Sequence, residues 1–119
     1  MPEDRAAYRK LIVWQRADEL ALAIYLATKR FPSEELYGVT SQLRRAALSI
    51  PTNIVEGSAR QGQRELKRFV SIALGSLAEV EYLVNFSCRL GYLTTSQFEE
   101  LDGIRRRVGS LLWKFYLSL

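Results

Sequence analysis

The sequence predicts an all-α protein, folded as a single antiparallel up-down-up-down four-helix bundle. Four segments place apolar residues at alternating intervals of three and four, the spacing that aligns side chains along one face of a helix. The connections between these segments are short, and no stretch alternates apolar and polar residues over a useful strand length. Amphipathic helices joined in this way bury their apolar stripes by packing side by side.

The first two helices are separated by a turn that contains proline. An apolar stripe over residues 13–31 predicts the first helix. This helix should end before Pro32, because proline lacks an amide hydrogen and disfavours helical geometry in the preceding residue. A second stripe over residues 39–57 predicts the second helix, with Ser33 or Thr40 as its N-cap.

The third helix is predicted to be the longest. Its stripe covers residues 63–90, with Gly62 at its start and Gly91 just past its end. The fourth helix follows from apolar positions spaced by three and four over residues 101–115. Ser96-x-x-Glu99 matches a capping box and marks the expected start of this helix.

The composition excludes several classes of function. A chain of 119 residues fits one domain over residues 1–119, with residues 1–8 expected to fray. Because there is no histidine and Cys88 is the only cysteine, histidine-based triads, common zinc sites and an internal disulfide are excluded. The sequence contains no phosphate loop and no convergent carboxylates, so we expect no enzymatic activity, no metal and no cofactor. The charged N-terminus and the absence of a long apolar run favour a cytoplasmic protein without a membrane partner.

Basic residues outnumber acidic ones by 17 to 13, and the excess points to phosphate-rich partners. The candidate nucleic-acid-binding residues are Arg60, Arg64, Lys67, Arg68, Arg44 and Arg45. The first four concentrate charge around the turn between the second and third helices, and phosphate contact and a solvated face are about equally good interpretations. For the last two, pairing with Glu79 or Glu81 is the alternative. The run at residues 105–107 spreads around its helix and is interpreted as a solvated face.

Some small and apolar residues remain once each helix has one stripe in the core. The candidate subunit-interface residues are Ser71, Gly75, Ala78, Leu48 and Val55. The first three form a small-residue face on the third helix that would allow close helix approach by another subunit. The alternative is that this face accommodates a neighbouring helix of the same bundle or is solvated. A polar ribbon on the second helix consists of Gln42, Ser49, Asn53 and Glu56. It is interpreted as a hydrogen-bonded network between helices or, alternatively, as a ligand groove.

Several short sequence motifs, taken together, resemble those of a known family. They are Leu11-Ile-Val-Trp-Gln15, Phe31-Pro32, Tyr37-Gly38-Val-Thr-Ser-Gln42, Ser49-Ile-Pro-x-Asn53-Ile-Val-Glu56-Gly57 and Phe69-x-x-Ile-Ala-x-Gly75-Ser76-Leu-x-Glu79. Over nearly its whole length the chain resembles bacterial four-helix-bundle proteins encoded in intervening sequences of large-subunit ribosomal RNA. The resemblance implies a ring-like homopentamer. It also implies kinship with the accessory protein of diversity-generating retroelements, whose basic surface binds nucleic acid and a reverse transcriptase.

Two functions of different classes follow. The first is a non-enzymatic homo-oligomer, pentameric by resemblance, that binds RNA or DNA through the basic surface. The second is a protein-interaction scaffold in which the arginines serve solubility and internal pairing.

Overall fold

The computed structural model describes residues 7–119 and contains four α-helices in that range. They are α1 (Ile12–Thr28), α2 (Val39–Ala59), α3 (Gln63–Arg89) and α4 (Thr95–Ser118). Short 3₁₀ helices at Ala7–Lys10 and Ser33–Glu35 precede α1 and α2, and the described residues include no strand. The predicted all-α class with four helices is therefore confirmed. The fraying predicted for residues 1–8 falls mostly outside the described residues, and Ala7 and Tyr8 lie in the first 3₁₀ helix.

The four helices pack as a closed bundle with extents of 45 × 24 × 20 Å. Helices that follow one another in the chain pack against each other, and the α2–α3 contact is the most extensive. The last helix, α4, also packs against α1, which closes the bundle. The packing is antiparallel, since Arg44 near the start of α2 contacts Thr28 at the end of α1, and Lys67 near the start of α3 contacts Tyr116 at the end of α4.

One hydrophobic core runs through the bundle and draws on all four helices. Its largest fully buried apolar side chains are Leu20, Ile24, Leu43, Ile50, Ile54, Val70, Val80, Val108 and Leu112. Seven of these nine residues belong to the apolar stripes that the sequence spacing predicted, whereas Val70 and Leu112 each lie one position after a predicted member. A single continuous core is the packing expected of one domain.

The starts of α2 and α4 differ from the sequence prediction. Gly38 occupies the N-cap of α2, while Ser33 begins a separate 3₁₀ helix and Thr40 lies buried within the first turn, so both predicted caps are wrong. At α4 the capping box is formed by Thr94 and Gln97, two residues before the predicted one. Thr94 Oγ1 accepts from the Gln97 amide at 3.1 Å, and Gln97 Oε1 accepts from the Thr94 amide at 2.8 Å.

The two glycines at the ends of α3 lie where the sequence predicted them. Gly62 has φ +87° and Gly91 has φ +81°, a region that side chains with a Cβ rarely enter. Gly62 is the N-cap of α3, and Gly91 follows the C-cap Leu90. The turn at Gly62 brings the end of α2 next to the start of α3, where the candidate basic residues lie.

By length and composition alone, helix α3 could cross a membrane. The sequence was expected to contain no apolar run of that length. In the bundle, however, its apolar stripe lies in the core, with Phe69, Val70, Ala73, Leu77, Val80, Leu83 and Val84 buried. The core helix of a helical bundle passes the same test of length and hydropathy, so the test does not separate the two cases.

The loops at the end of the bundle opposite Gly62 are tied together by one side-chain contact. The Tyr92 hydroxyl, in the α3–α4 connection, donates to Glu35 Oε2 at 2.8 Å, and the Tyr92 ring lies 5.3 Å from that of Phe31. The pKa of Tyr92 is raised, mainly because its hydroxyl donates to the Glu35 carboxylate and also because the group is partly desolvated. Glu35 Oε1 in turn accepts from the Val39 amide at 3.4 Å in the first turn of α2.

Candidate functional site

Four cationic side chains converge at the tip of the bundle where α2 turns into α3, and we call this group the basic end. It consists of Arg60, Arg64, Lys67 and Arg68. Arg60 is the C-cap of α2, and the other three occupy the first two turns of α3. The three arginines are exposed and Lys67 is half-buried. The structure therefore brings together the four residues that the sequence spacing grouped.

Aromatic rings hold these cations in place. The guanidinium carbons of Arg60 and Arg68 lie 5.4 and 4.6 Å from the centroid of the same ring, that of buried Phe69. Lys67 Nζ lies 4.7 Å from the centroid of Tyr116 in the last turn of α4. At such distances a cation is attracted by the face of the ring, so these contacts reduce the freedom of the long side chains.

Glu65 lies among the three arginines of the basic end. It accepts from Arg68 through both carboxylate oxygens, at 3.2 and 3.3 Å. The pKa of Glu65 is lowered, mainly because Arg68 hydrogen-bonds its carboxylate and further because Arg68, Arg60 and Arg64 place positive charge nearby. This carboxylate offsets one of the four positive charges, and the basic end retains a net positive charge. Arg64 forms no ion pair with any described residue.

An aromatic pair that is absent from the candidate residues predicted from the sequence lies next to the basic end. Trp113 and Tyr116 on α4 stack with centroids 5.5 Å apart and an interplanar angle of 15°. Trp113 is 51% exposed, and the Tyr116 ring is the one contacted by Lys67. A signal was present in the sequence, because Trp113 lies off the apolar stripe of the fourth helix. The predicted antiparallel topology also places the end of that helix beside the turn between the second and third helices.

The other two candidate arginines lie far from the basic end. Arg44 is 16 residues before Arg60 on the same helix, a separation of about 24 Å at 1.5 Å per residue. Its side chain donates to Thr28 Oγ1 at 2.8 Å and to the Tyr25 carbonyl at 3.4 Å, and its guanidinium lies 5.0 Å from the Tyr25 ring centroid. The predicted pairing of Arg44 with a glutamate of the third helix is wrong, since its side chain points to α1.

Arg45 faces α3 instead. It lines a cavity of about 210 Å³ with Gln42, Ser49, Ser76 and Glu79, among others. No ion pair within 4.0 Å joins Arg45 to a carboxylate of the described chain. The six candidate nucleic-acid-binding residues thus divide into one group of four and two separate arginines.

The arginine run on α4 is partly neutralised by its own helix. Asp102 pairs with Arg105 at 2.7 Å and with Arg106 at 3.5 Å. Arg106 and Arg107 are exposed. The interpretation of this run as a solvated face fits these positions, because local pairing explains two of the three charges.

Half of the predicted polar ribbon forms a network between helices. Ser49 Oγ lies 2.9 Å from Ser76 Oγ across the α2–α3 contact. Asn53 Nδ2 donates to the Ser49 carbonyl at 2.7 Å and to Ser49 Oγ at 2.9 Å. Gln42 and Glu56 are exposed and stand outside this network. Ser76 completes it and was missed, because the sequence alone does not say which residue of α3 faces Ser49.

The predicted subunit-interface residues are turned outward in the single chain. Ser71, Gly75 and Ala78 are exposed, and a Cβ at Gly75 would have no atom within 4 Å among the described residues. No helix of the same bundle covers this small-residue face among the described residues, which leaves a subunit contact and a solvated face as its two interpretations. Leu48 is 47% exposed and lies on a groove of about 580 Å³ beside α2, and Val55 is half-buried.

The described residues contain no group of three or more Cys, Asp or Glu side chains placed to hold a metal ion. Cys88 lies partly buried near the end of α3. The geometry thus defines a small all-α bundle whose distinctive chemistry is a positive tip flanked by aromatic rings.

Comparisons with known proteins agree with the all-α bundle fold. The family model for the 23S rRNA-intervening sequence protein matches residues 9–114, and the chain belongs to this family. A solved structure with a TM-score of 0.79 and 24% sequence identity covers 88% of this chain and 98% of its own. It is described as a protein of unknown function from the S23 ribosomal protein family of Bacteroides thetaiotaomicron VPI-5482, and at this identity it supports the fold. No curated protein matches the chain.

Proposed function

We propose that this chain is a non-enzymatic cytoplasmic protein that forms a homo-oligomer and binds nucleic acid through the basic end. The observation that carries the proposal is the grouping of four cations at a single tip of the bundle, three of them arginines around one carboxylate. Contacts between such side chains and phosphates release condensed counterions, which supplies most of the affinity in sequence-independent binding. Anchoring on Phe69 and Tyr116 lowers the entropy that these side chains lose on binding.

A salt titration of nucleic-acid affinity tests the basic end. We expect Arg60→Ala combined with Arg64→Ala to weaken binding to duplex DNA and to lower the slope of log K against log salt by about 0.9 per lost phosphate contact. The matched control is Arg106→Ala combined with Arg107→Ala, which removes the same charge from exposed positions elsewhere. No binding at low salt, or equal losses in the two double variants, would contradict the proposal.

The proposed oligomer is a ring-like pentamer, and the resemblance to the family supplies that number. Support from this chain comes from two outward surfaces, the small-residue face of α3 and the groove beside α2. Small residues permit close helix approach, and exposed apolar side chains such as Leu48 and Leu36 gain from being covered. Such surfaces fit a head-to-tail contact, in which different faces of neighbouring copies meet.

Sedimentation velocity of matched glycine variants tests the assembly. Gly75→Leu places a large side chain on the small-residue face, whereas Gly103→Leu places it at a half-buried position of α4 where a Cβ also meets nothing within 4 Å. We expect the first variant to shift the protein towards the monomer and the second to keep the mass of the natural protein. A monomeric natural protein at micromolar concentration would contradict the oligomer directly.

The groove beside α2 favours a second function, that of a protein-interaction scaffold. Leu36, Leu48 and Tyr25 line this groove and expose apolar surface next to Arg44. By family resemblance the partner would be a reverse transcriptase. A partner that copurifies from the host after nuclease treatment, and is lost in a Leu48→Asp variant that keeps its oligomeric mass, would favour the scaffold over nucleic-acid binding.

A further inference from the structure

We propose that Trp113 is a stacking platform for an unpaired base, so that the basic end binds single-stranded nucleic acid more tightly than duplex. This inference rests on the proposed function of the basic end and specifies its ligand class. It starts from the aromatic pair on α4, of which Tyr116 packs against the core and Trp113 does not. Leu112 is fully buried and Phe115 packs against the core, whereas Trp113 between them is 51% exposed.

The Trp113 ring is held in a fixed orientation. It stacks on Tyr116 at 5.5 Å with an interplanar angle of 15°, and Tyr116 is itself contacted by Lys67 at 4.7 Å. A ring fixed in this way has less entropy to lose when a base stacks on it than a freely rotating side chain would. Every nucleobase has an aromatic face that can stack on an exposed protein ring. A platform of this kind therefore binds single strands of any nucleotide sequence.

The neighbouring charges favour the same ligand. Lys67 contacts Tyr116 at the end of α4 that carries Trp113, and Arg64 lies about one turn before Lys67 on α3. Proteins that bind single strands combine a positive surface that follows the phosphates with aromatic side chains on which bases stack. In a duplex the bases are paired and stacked on one another. Its phosphates would contact the cations of the basic end, but no base would be free to stack on Trp113.

Tryptophan fluorescence provides a direct test, because the chain has two tryptophans. Trp14 is half-buried, and its Nε1 has no hydrogen-bond partner among the described residues, so Trp14→Phe is a mild change that leaves Trp113 as the reporter. We expect an oligothymidylate of about 12 nucleotides, within the usual site size, to quench Trp113 and to bind more tightly than a duplex of equal length.

Affinity measurements on Trp113 variants complete the experiment. We expect Trp113→Ala to weaken oligothymidylate binding about ten-fold, as for loss of one stacked base, and to leave duplex binding unchanged. Trp113→Phe should retain most of the affinity. Leu117→Ala, which removes a 62% exposed apolar side chain one turn further along α4, should have no effect.

Each contrary result has a distinct meaning. If Trp113→Ala leaves oligothymidylate affinity unchanged while duplex binding still depends on Arg60 and Arg64, the stacking inference is wrong and the proposed function stands. If Trp113→Ala lowers the mass of the assembly, Trp113 is a subunit contact, which also overturns the inference. If neither nucleic acid binds at low salt, the proposed function itself fails.

Discussion

Replacing Gly57 by alanine should destabilise the fold, although alanine is the better helix former. Gly57 is buried on α2 at its contact with α3. A Cβ there would lie 2.8 Å from Phe69 Cβ and 2.9 Å from Leu66 Cδ1. The Leu66 methyl group can rotate away, but Phe69 Cβ is fixed to the backbone of α3. The new methyl group can therefore be accommodated only if the two helices move apart at the most extensive contact of the bundle.

The magnitude follows from two opposing terms. Glycine to alanine in a helix interior gains about 1 kcal/mol, whereas forcing a methyl group into a packed contact costs about 1–3 kcal/mol. We expect a net loss of about 1 kcal/mol, which for 119 residues corresponds to a fall of about 4 °C in melting temperature. Gly103→Ala on α4 is the matched control, because a Cβ there meets nothing within 4 Å and should raise the melting temperature by a similar amount.

Far-ultraviolet circular dichroism during thermal and urea unfolding measures both variants. The expected result is opposite signs for two chemically identical substitutions, measured at the same protein concentration because the proposed assembly would contribute to stability. If Gly57→Ala stabilises the protein as much as Gly103→Ala does, the helices tolerate the methyl group without shifting. Close approach of α2 and α3 would then not be the reason for a glycine at position 57.

Three further predictions concern single contacts. Thr94→Ala should cost about 1 kcal/mol in urea unfolding because it removes the capping box, whereas Ser96→Ala should be nearly neutral. A double-mutant cycle of Ser49→Ala and Ser76→Ala should give a coupling energy of about 0.5–1.5 kcal/mol, and a value near zero would contradict the hydrogen bond. The pKa of Tyr92 is raised above its usual 10.0, so its stabilising contribution is present below that value and lost as pH rises through the higher native pKa. Absorbance titration should show one late-titrating tyrosine, and Tyr92→Phe should abolish both that titration and the matching alkaline loss of stability.

The apolar spacing predicted which face of each helix is buried, but not where each helix begins. A stripe specifies an orientation around the helix axis, and its first member need not be the first residue of the helix. At α4, buried Leu93 is followed directly by the N-cap Thr94, and the helix begins at Thr95. The N-cap is therefore Thr94 and not Ser96. The glycines were easier to place, because at Gly62 and Gly91 the backbone itself requires a positive φ.

The candidate site was predictable where it depends on neighbours in sequence and not where it depends on contacts between helices. Residues spaced by four around one turn must share a side, so Arg60, Arg64 and Arg68 could be grouped from the sequence. The position of Lys67 against Tyr116 joins residues 49 positions apart, and it depends on how α3 and α4 pack. The same limit explains why Arg44 was assigned a partner on the third helix although its side chain contacts α1.

The basic end and the proposed subunit contacts occupy different parts of the bundle. The groove and the small-residue face lie along its sides, whereas the four cations lie at one tip. If copies pack side by side around an axis parallel to the helices, cyclic symmetry leaves every tip uncovered and places all of them on one face of the ring. Several tips can then engage one strand, and avidity exceeds the affinity of a single tip without any new contact. Gly75→Leu should therefore weaken nucleic-acid binding by dissociating the ring, although it changes no charge. If the dissociated variant binds as tightly as the natural protein, one tip suffices and the proposed link between assembly and affinity is wrong.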